Sequence, residues 1–240
     1  MDNLVKDWAT LQTTLDPDDN WQFIVRMDRC LSWIEHAEHL FGTEGGDSDS
    51  SLIFHWIAVS ALWSRPLDRD KYENERTLIS TFVKNVVANE HKCPYLLSEF
   101  LRSEADKSIH AISRDEGLRK EWWERSPIPQ HPPKQSDHEC RRIQRSILNR
   151  NTEEPLVRIL LRVYLARCQL VHGGARCQSC LNRDAIEACD RFLRGFLIRA
   201  ICILIDGGWE TYDWDGVWYP PPVSARGRRG TLRRPRRGGE

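Results

Sequence analysis

The sequence predicts an all-α protein, and three observations carry that prediction. Apolar residues recur at three- and four-residue steps over most of the chain, no stretch of useful length alternates as a strand does, and Gly or Pro tends to follow the periodic stretches. A chain of 240 residues with 40% hydrophobic and 29% charged residues has an ordinary globular balance. Ten tryptophans, several on periodic faces, supply an ample core that needs neither metal nor disulfide to fold.

The elements follow in order. Trp21, Ile24, Val25, Leu31, Ile34 and Leu40 mark one helix face, with Asp18, Asp19 or Asn20 as cap and Gly42 as stop. Gly42 to Ser51 is rich in Gly, Ser and acids and reads as a loop. The next helix, about Ser50 to Trp63, is apolar nearly all round, as expected of a helix surrounded by its neighbours, and Pro66 ends it. Asp68 to Asn89 is amphipathic, with Leu78, Ile79, Phe82, Val83, Val86 and Val87 on one side. Shorter helices are expected at Tyr95–Ser103 and Glu104–Trp123. Ser126 to Ser136 holds four prolines and must be extended or irregular. It reads as a long loop within one bundle, because neither half of the chain alone shows a complete set of core faces. Helices at Asp137–Arg150, Glu153–His172 and Asn182–Asp206 follow, then an aromatic, Pro-rich strap from Trp209 to Pro222. The expectation is one helical domain over residues 1–223 and a disordered basic tail over 224–240, which has almost nothing to bury.

The formal charge is zero but unevenly placed. From Ser224 to Glu240 seven arginines face one acid, a net +6, which leaves −6 on the preceding residues. Clustered guanidinium groups bind phosphates, so the tail suits a polyanion partner or docking on its own acidic body. Met1 to Leu15 shows no basic start followed by an apolar run, so no leader is expected. Leu52 to Trp63, the longest apolar stretch, is broken by His55 and Ser60 and is too short to cross a bilayer. Eight scattered cysteines read as reduced thiols. Together these predict a cytoplasmic protein with no membrane association.

Glu153 to Ala175 carries the chemistry. Two acids and a proline open the helix where its dipole is positive, and Gly173–Gly174 close it. Arg158, Arg162 and Arg167 lie in an apolar run, and His172 stands directly before the glycines. A helix C-terminus favours a cation, so His172 is suited to carry a proton near neutral pH. The guanidinium of Arg167 can hold a phosphate oxygen in its fork. A proton carrier and a fixed positive charge together fit phosphodiester cleavage. Residues five apart are roughly 140° apart around an ideal helix. The two therefore converge through the long Arg side chain and distortion at the helix end, or across a symmetric dimer.

Arg167 to Gly174, R-C-Q-L-V-H-G-G, resembles the R-x4-6-H signature of HEPN domains. Asn182–Arg183 opening the last helix, the aromatic end from Asp213 to Pro221, and the apolar helix Leu52 to Trp63 are similar to features of one bacterial branch. The likeness spans about Ser50 to Pro222 and departs from the family pattern at Cys168 and Ser60. It implies a HEPN-like helical bundle acting as a homodimer, with two Arg–His pairs lining one cleft. It also implies metal-independent RNA cleavage, without cofactor, by 2′-hydroxyl attack to leave a cyclic phosphate. Arg167 and His172 would be the catalytic residues, His172 as general acid or base and Arg167 against phosphate charge. Toxin–antitoxin pairs, phage defence and RNA processing are the implied settings, with a cognate antitoxin or defence partner.

Arg176 and Arg183 flank this segment and are candidates for contact with the RNA backbone. Two other readings compete. One is a non-catalytic HEPN-like module that binds RNA or a protein. The other is a zinc-stabilised interaction protein, because Cys168-x3-His172-x4-Cys177-x2-Cys180 offers four zinc-type ligands within thirteen residues. The remaining histidines, His55 among them, show no constellation in sequence.

Overall fold

The computed structural model describes residues 2–41, 47–65, 74–90, 93–119, 135–174, 176–178, 180 and 182–214. The helices are α1 (Asp2–Gln12), α2 (Trp21–Phe41), α3 (Ser48–Trp63), α4 (Glu75–Ala88), α5 (Leu96–Glu104), α6 (His110–Arg114), α7 (Gln135–Leu148), α8 (Glu153–Val171) and α9 (Arg183–Ile205). Among the described residues there is no strand, and no helix is long and apolar enough to cross a membrane.

Helix α3 shows why the bundle closes. Asp47 caps it, its carboxylate accepting the N–H groups of Asp49 and Ser50, and the chain turns extended at Ser64. Its apolar residues fall on every side, and it packs against α2, α8 and α9. The 23-residue α9 carries the other half of the core, from Ala185 to Leu204. Buried side chains from Leu4 to Leu204 form one continuous cluster.

Two buried polar devices hold this core together. Arg26, only 3% exposed, donates to the carbonyls of Ala61, Leu62 and Ser64 and to that of Trp214. It thus satisfies the open C-terminal end of α3 and ties the segment after α9 to it, although burial lowers its pKa to about 10. Residues 209–214 also cover α2, with Trp209 stacked on Phe23 at 5.6 Å and Trp214 tilted against it at 4.7 Å.

The second device joins α2, α3 and α9. His55 is fully buried, its Nδ1 2.7 Å from Asp190 Oδ1, and a carboxylate accepts, so the proton on that edge belongs to Nδ1. Its Nε2 lies 3.9 Å from Glu38 Oε1 without a hydrogen bond. Glu38 is gripped by Arg194 through both carboxylate oxygens. Ser51 Oγ sits 3.4 Å from the same Nδ1 that Asp190 uses. A nucleophilic triad needs its serine on the opposite ring nitrogen and open to substrate, so this is a structural seam.

The hydrogen bond from Arg194 holds the Glu38 carboxyl below its usual value, against the opposing effect of burial. A depressed carboxyl contributes stability above its ordinary pKa and loses it as pH falls through the folded-state value. Glu38→Gln is expected to be less stable than wild type at pH 7 yet to lose less between about pH 5 and pH 3. Urea midpoints across that range check it, and parallel acid limbs would contradict it.

Gly195, midway along α9, sits where a methyl group would lie 2.6 Å from Phe100 Cε2. Phe100 is itself pinned by Phe192 and by the Arg199 guanidinium, 4.5 Å above its ring. Overpacking should therefore outweigh the gain in helix propensity, and Gly195→Ala is expected to cost about 1 kcal/mol. Equilibrium unfolding measures this, and a stabilised variant would show that Phe100 yields freely.

Several expectations change. Helix α1 escapes the periodic reading because only Leu4 and Trp8 of its eleven residues are buried; Trp8 Nε1 donates to Asp28 at 2.9 Å. The helix expected to begin at Asp68 begins at Glu75, where Asn74 Oδ1 accepts the N–H of Thr77. Residues 66–73 lie outside the described set. Over the described part of the helix expected from Glu104 to Trp123 there is a π turn at Ala105–Ile109, the short α6, and a 3-10 turn at Glu116–Leu118 capped by Asp115, and residues 120–123 lie outside the described set. Most of the Pro-rich segment, the strap beyond Trp214 and the basic tail also lie outside the described residues.

Candidate functional site

Helix α8 begins at Glu153 with Glu154 and Pro155 in its first turn and ends at His172. Glu154 is not merely a dipole partner. It accepts from Arg158 Nε at 3.0 Å, Arg142 Nη2 at 2.8 Å and Ser146 Oγ at 3.0 Å, and the Arg158 hydrogen bond foremost holds its carboxyl below the usual range.

At the other end His172 is the C-cap, its N–H donating to Cys168 O. Gly173 takes φ +71°, and Gly174 N–H reaches back to Gln169 O at 2.8 Å. That six-to-one closure needs a left-handed residue at position 173, which glycine adopts without the usual Cβ penalty. The result is an abrupt stop that leaves the His172 side chain exposed.

The three arginines of α8 part company. Arg158 is engaged by Glu154. Arg162 is buried, held by Glu139 at 2.7 Å and by the carbonyls of Ile112 and Asp115. Arg167 is half-buried and makes no hydrogen bond or ion pair among the described residues, and neither does the His172 imidazole. Beside Arg167, burial and a hydrogen bond with Cys168 push the Tyr164 phenol up to about 12, so a neutral hydroxyl lines that flank. Val171, next to His172, is 47% exposed. The helix end thus offers one unpaired guanidinium and one unpaired imidazole with an apolar neighbour.

The flanking candidates separate as well. Arg176 is exposed and unpaired among the described residues. Arg183 is held by Asp49, Nη1 to Oδ1 at 2.8 Å and Nη2 to Oδ2 at 3.1 Å, and the same Oδ2 accepts the Gln178 N–H at 2.7 Å. Asp49 in the first turn of α3 thereby anchors the segment that links α8 to α9. Sequence reading missed Asp49, because it lies 134 residues from Arg183 and nothing local marks it.

All eight cysteines are free, with Cys177 and Cys180 exposed and Cys168 half-buried. Among the described residues no group of three or more His, Cys, Asp or Glu side chains is placed to hold a metal ion. Cys168, His172, Cys177 and Cys180 are therefore not gathered as a ligand set. No protein-family model, curated protein or solved structure matches the chain.

Proposed function

We propose that this protein is a metal-independent endoribonuclease of HEPN type that works as a homodimer. One observation carries the reading. Of the three arginines on α8, Arg167 alone lacks a partner among the described residues, and it shares an exposed helix end with an equally unpaired His172. A half-buried guanidinium with no partner among the described residues keeps its fork open for a phosphate, and the exposed imidazole beside it in sequence is free to reach the same ligand.

The chemistry follows from the two groups. His172 takes the proton of a ribose 2′-hydroxyl, and the oxygen attacks the adjacent phosphorus. The bond from phosphorus to the 5′-oxygen breaks, that oxygen is protonated, and a 2′,3′-cyclic phosphate remains. Arg167 donates to the non-bridging oxygens as charge builds on them. The angular separation of roughly 140° favours a site in which α8 ends from two copies face each other. A role in toxin–antitoxin or phage-defence systems, with a cognate protein partner, fits the same reading.

The test is incubation of end-labelled single-stranded RNA with the protein in EDTA. Fragments ending in a cyclic phosphate are expected. RNA that is bound but uncut at every protein concentration would replace this reading with a non-catalytic binding module.

A further inference from the structure

An open cleft of about 500 Å³ lies between α6 and the first turn of α9, lined by His110, Arg114, Asp115, Asn182, Arg183 and Asp184 among others. The volume falls in the range of about 300–1,000 Å³ that holds small ligands. Its chemistry is mixed, with guanidinium, imidazole and carboxamide groups facing two carboxylates. Carboxylates oppose a phosphate, whereas alternating donors and acceptors match the edge of a nucleobase.

Two further features favour a base. Arg183 has Nη1 and Nη2 committed to Asp49, so it cannot use that fork on a phosphate, and its plane is fixed. A guanidinium held in one orientation is a stacking surface for a splayed base. Asn182 has φ +59°, its side chain does not cap α9, and its carboxamide makes no hydrogen bond among the described residues. A carboxamide carries both a donor and an acceptor, the pair that reads a base edge.

The cleft also adjoins the helix end. Gln169 Nε2 donates to Gly117 O, and a Cβ at Gly117 would lie 2.7 Å from Asn182 Nδ2. Gln169 and His172 are three residues apart on α8 and therefore neighbours, with Cβ atoms about 5–6 Å apart on a regular helix. A continuous surface thus runs from His172 through Gln169 and Gly117 to Asn182.

We propose that this cleft is a nucleobase subsite, which reads one nucleotide next to the scissile phosphate of single-stranded RNA. The proposal rests on the reading of Arg167 and His172 as the cleaving pair. Base binding by itself does not require that reading, so the two are tested separately.

In the binding arm, isotope-labelled full-length His172→Ala protein is titrated with AMP, GMP, CMP and UMP, and with ribose 5-phosphate as the base-free probe. One nucleotide is expected to shift the amide signals of residues 110–115 and 182–185 and to bind roughly fivefold or more tightly than ribose 5-phosphate. Asn182→Gly should remove that advantage, since glycine accepts φ +59° without strain while deleting the carboxamide. Arg114→Gln, at an exposed position, gives a second variant that tests the same surface. In the cleavage arm, random-sequence RNA digested by wild type should show a base preference beside the cut, and Asn182→Gly should bring it near unity. Equal binding of ribose 5-phosphate and all four nucleotides, shifts confined to other residues, or an unchanged preference in Asn182→Gly would each overturn the subsite. If the wild type leaves every RNA intact, the Arg167–His172 reading fails, and the titration still decides whether the cleft binds a base.

Discussion

Replacing His172 with alanine is expected to lower RNA cleavage by about 10²–10⁴-fold while leaving Tm unchanged. The imidazole is exposed at the C-cap and makes no side-chain hydrogen bond among the described residues, so its removal deletes chemistry without touching the core. Its backbone N–H bond to Cys168 O survives the substitution. Arg167→Ala should cost about 10²–10³-fold by removing charge stabilisation, and Arg167→Lys should recover only part of it, because an ammonium cannot present the two-pronged fork. Mixing the His172→Ala and Arg167→Ala proteins separates two geometries. If each site draws its arginine and histidine from different copies, a mixed dimer contains one complete site and regains activity. If both come from one copy, it does not. Cleavage by His172→Ala at the wild-type rate would end the nuclease reading.

The largest stability loss is expected at the other end of the polarity scale, at Asp190→Ala. Asp190 is 2% exposed and supplies the 2.7 Å contact to a fully buried His55. Truncation leaves the imidazole N–H only the distant Ser51 Oγ, 3.4 Å away, in place of a carboxylate at 2.7 Å, and opens a void between α3 and α9. The expected cost is about 2–4 kcal/mol, a Tm fall on the order of 5–15 °C for a chain of this length. The double variant His55→Leu/Asp190→Leu removes both polar partners at similar volume and should recover most of that loss. Comparing the single and double variants by denaturant unfolding isolates the orphaned polar group from the cavity. A double variant as unstable as Asp190→Ala would mean that packing, not polarity, dominates this seam.

Local order explains what could be read before the fold was known. The spans of α2, α3, α8 and α9 are written in steps of three and four residues, and the end of α8 in Gly173 and Gly174, directly after the histidine that caps it. The placement of His172 at a helix end five residues after Arg167 is legible for the same reason, since an apolar run, a histidine and two glycines define a helix end without reference to any other part of the chain. The segment from Glu104 to Leu118 was not legible. Its π turn and the break at Asp115 answer to packing on α9 and α8, which overrides a weak local helix preference.

By itself the sequence determined an all-helical chain, an apolar central helix, and an arginine and a histidine brought to one helix terminus. The tertiary structure alone decided which charged groups stay open. Arg158 and Arg162 resemble Arg167 in sequence, yet Glu139, Glu154 and the carbonyls of Ile112 and Asp115 claim them, and Asp49 claims Arg183 across 134 residues. His55, one histidine among eight, acquires Asp190 across 135 residues. Helical periodicity is a property of neighbours along the chain, whereas the partner of a buried or half-buried charge is set by where distant segments pack, because each must find a counterpart within hydrogen-bond reach once water is excluded.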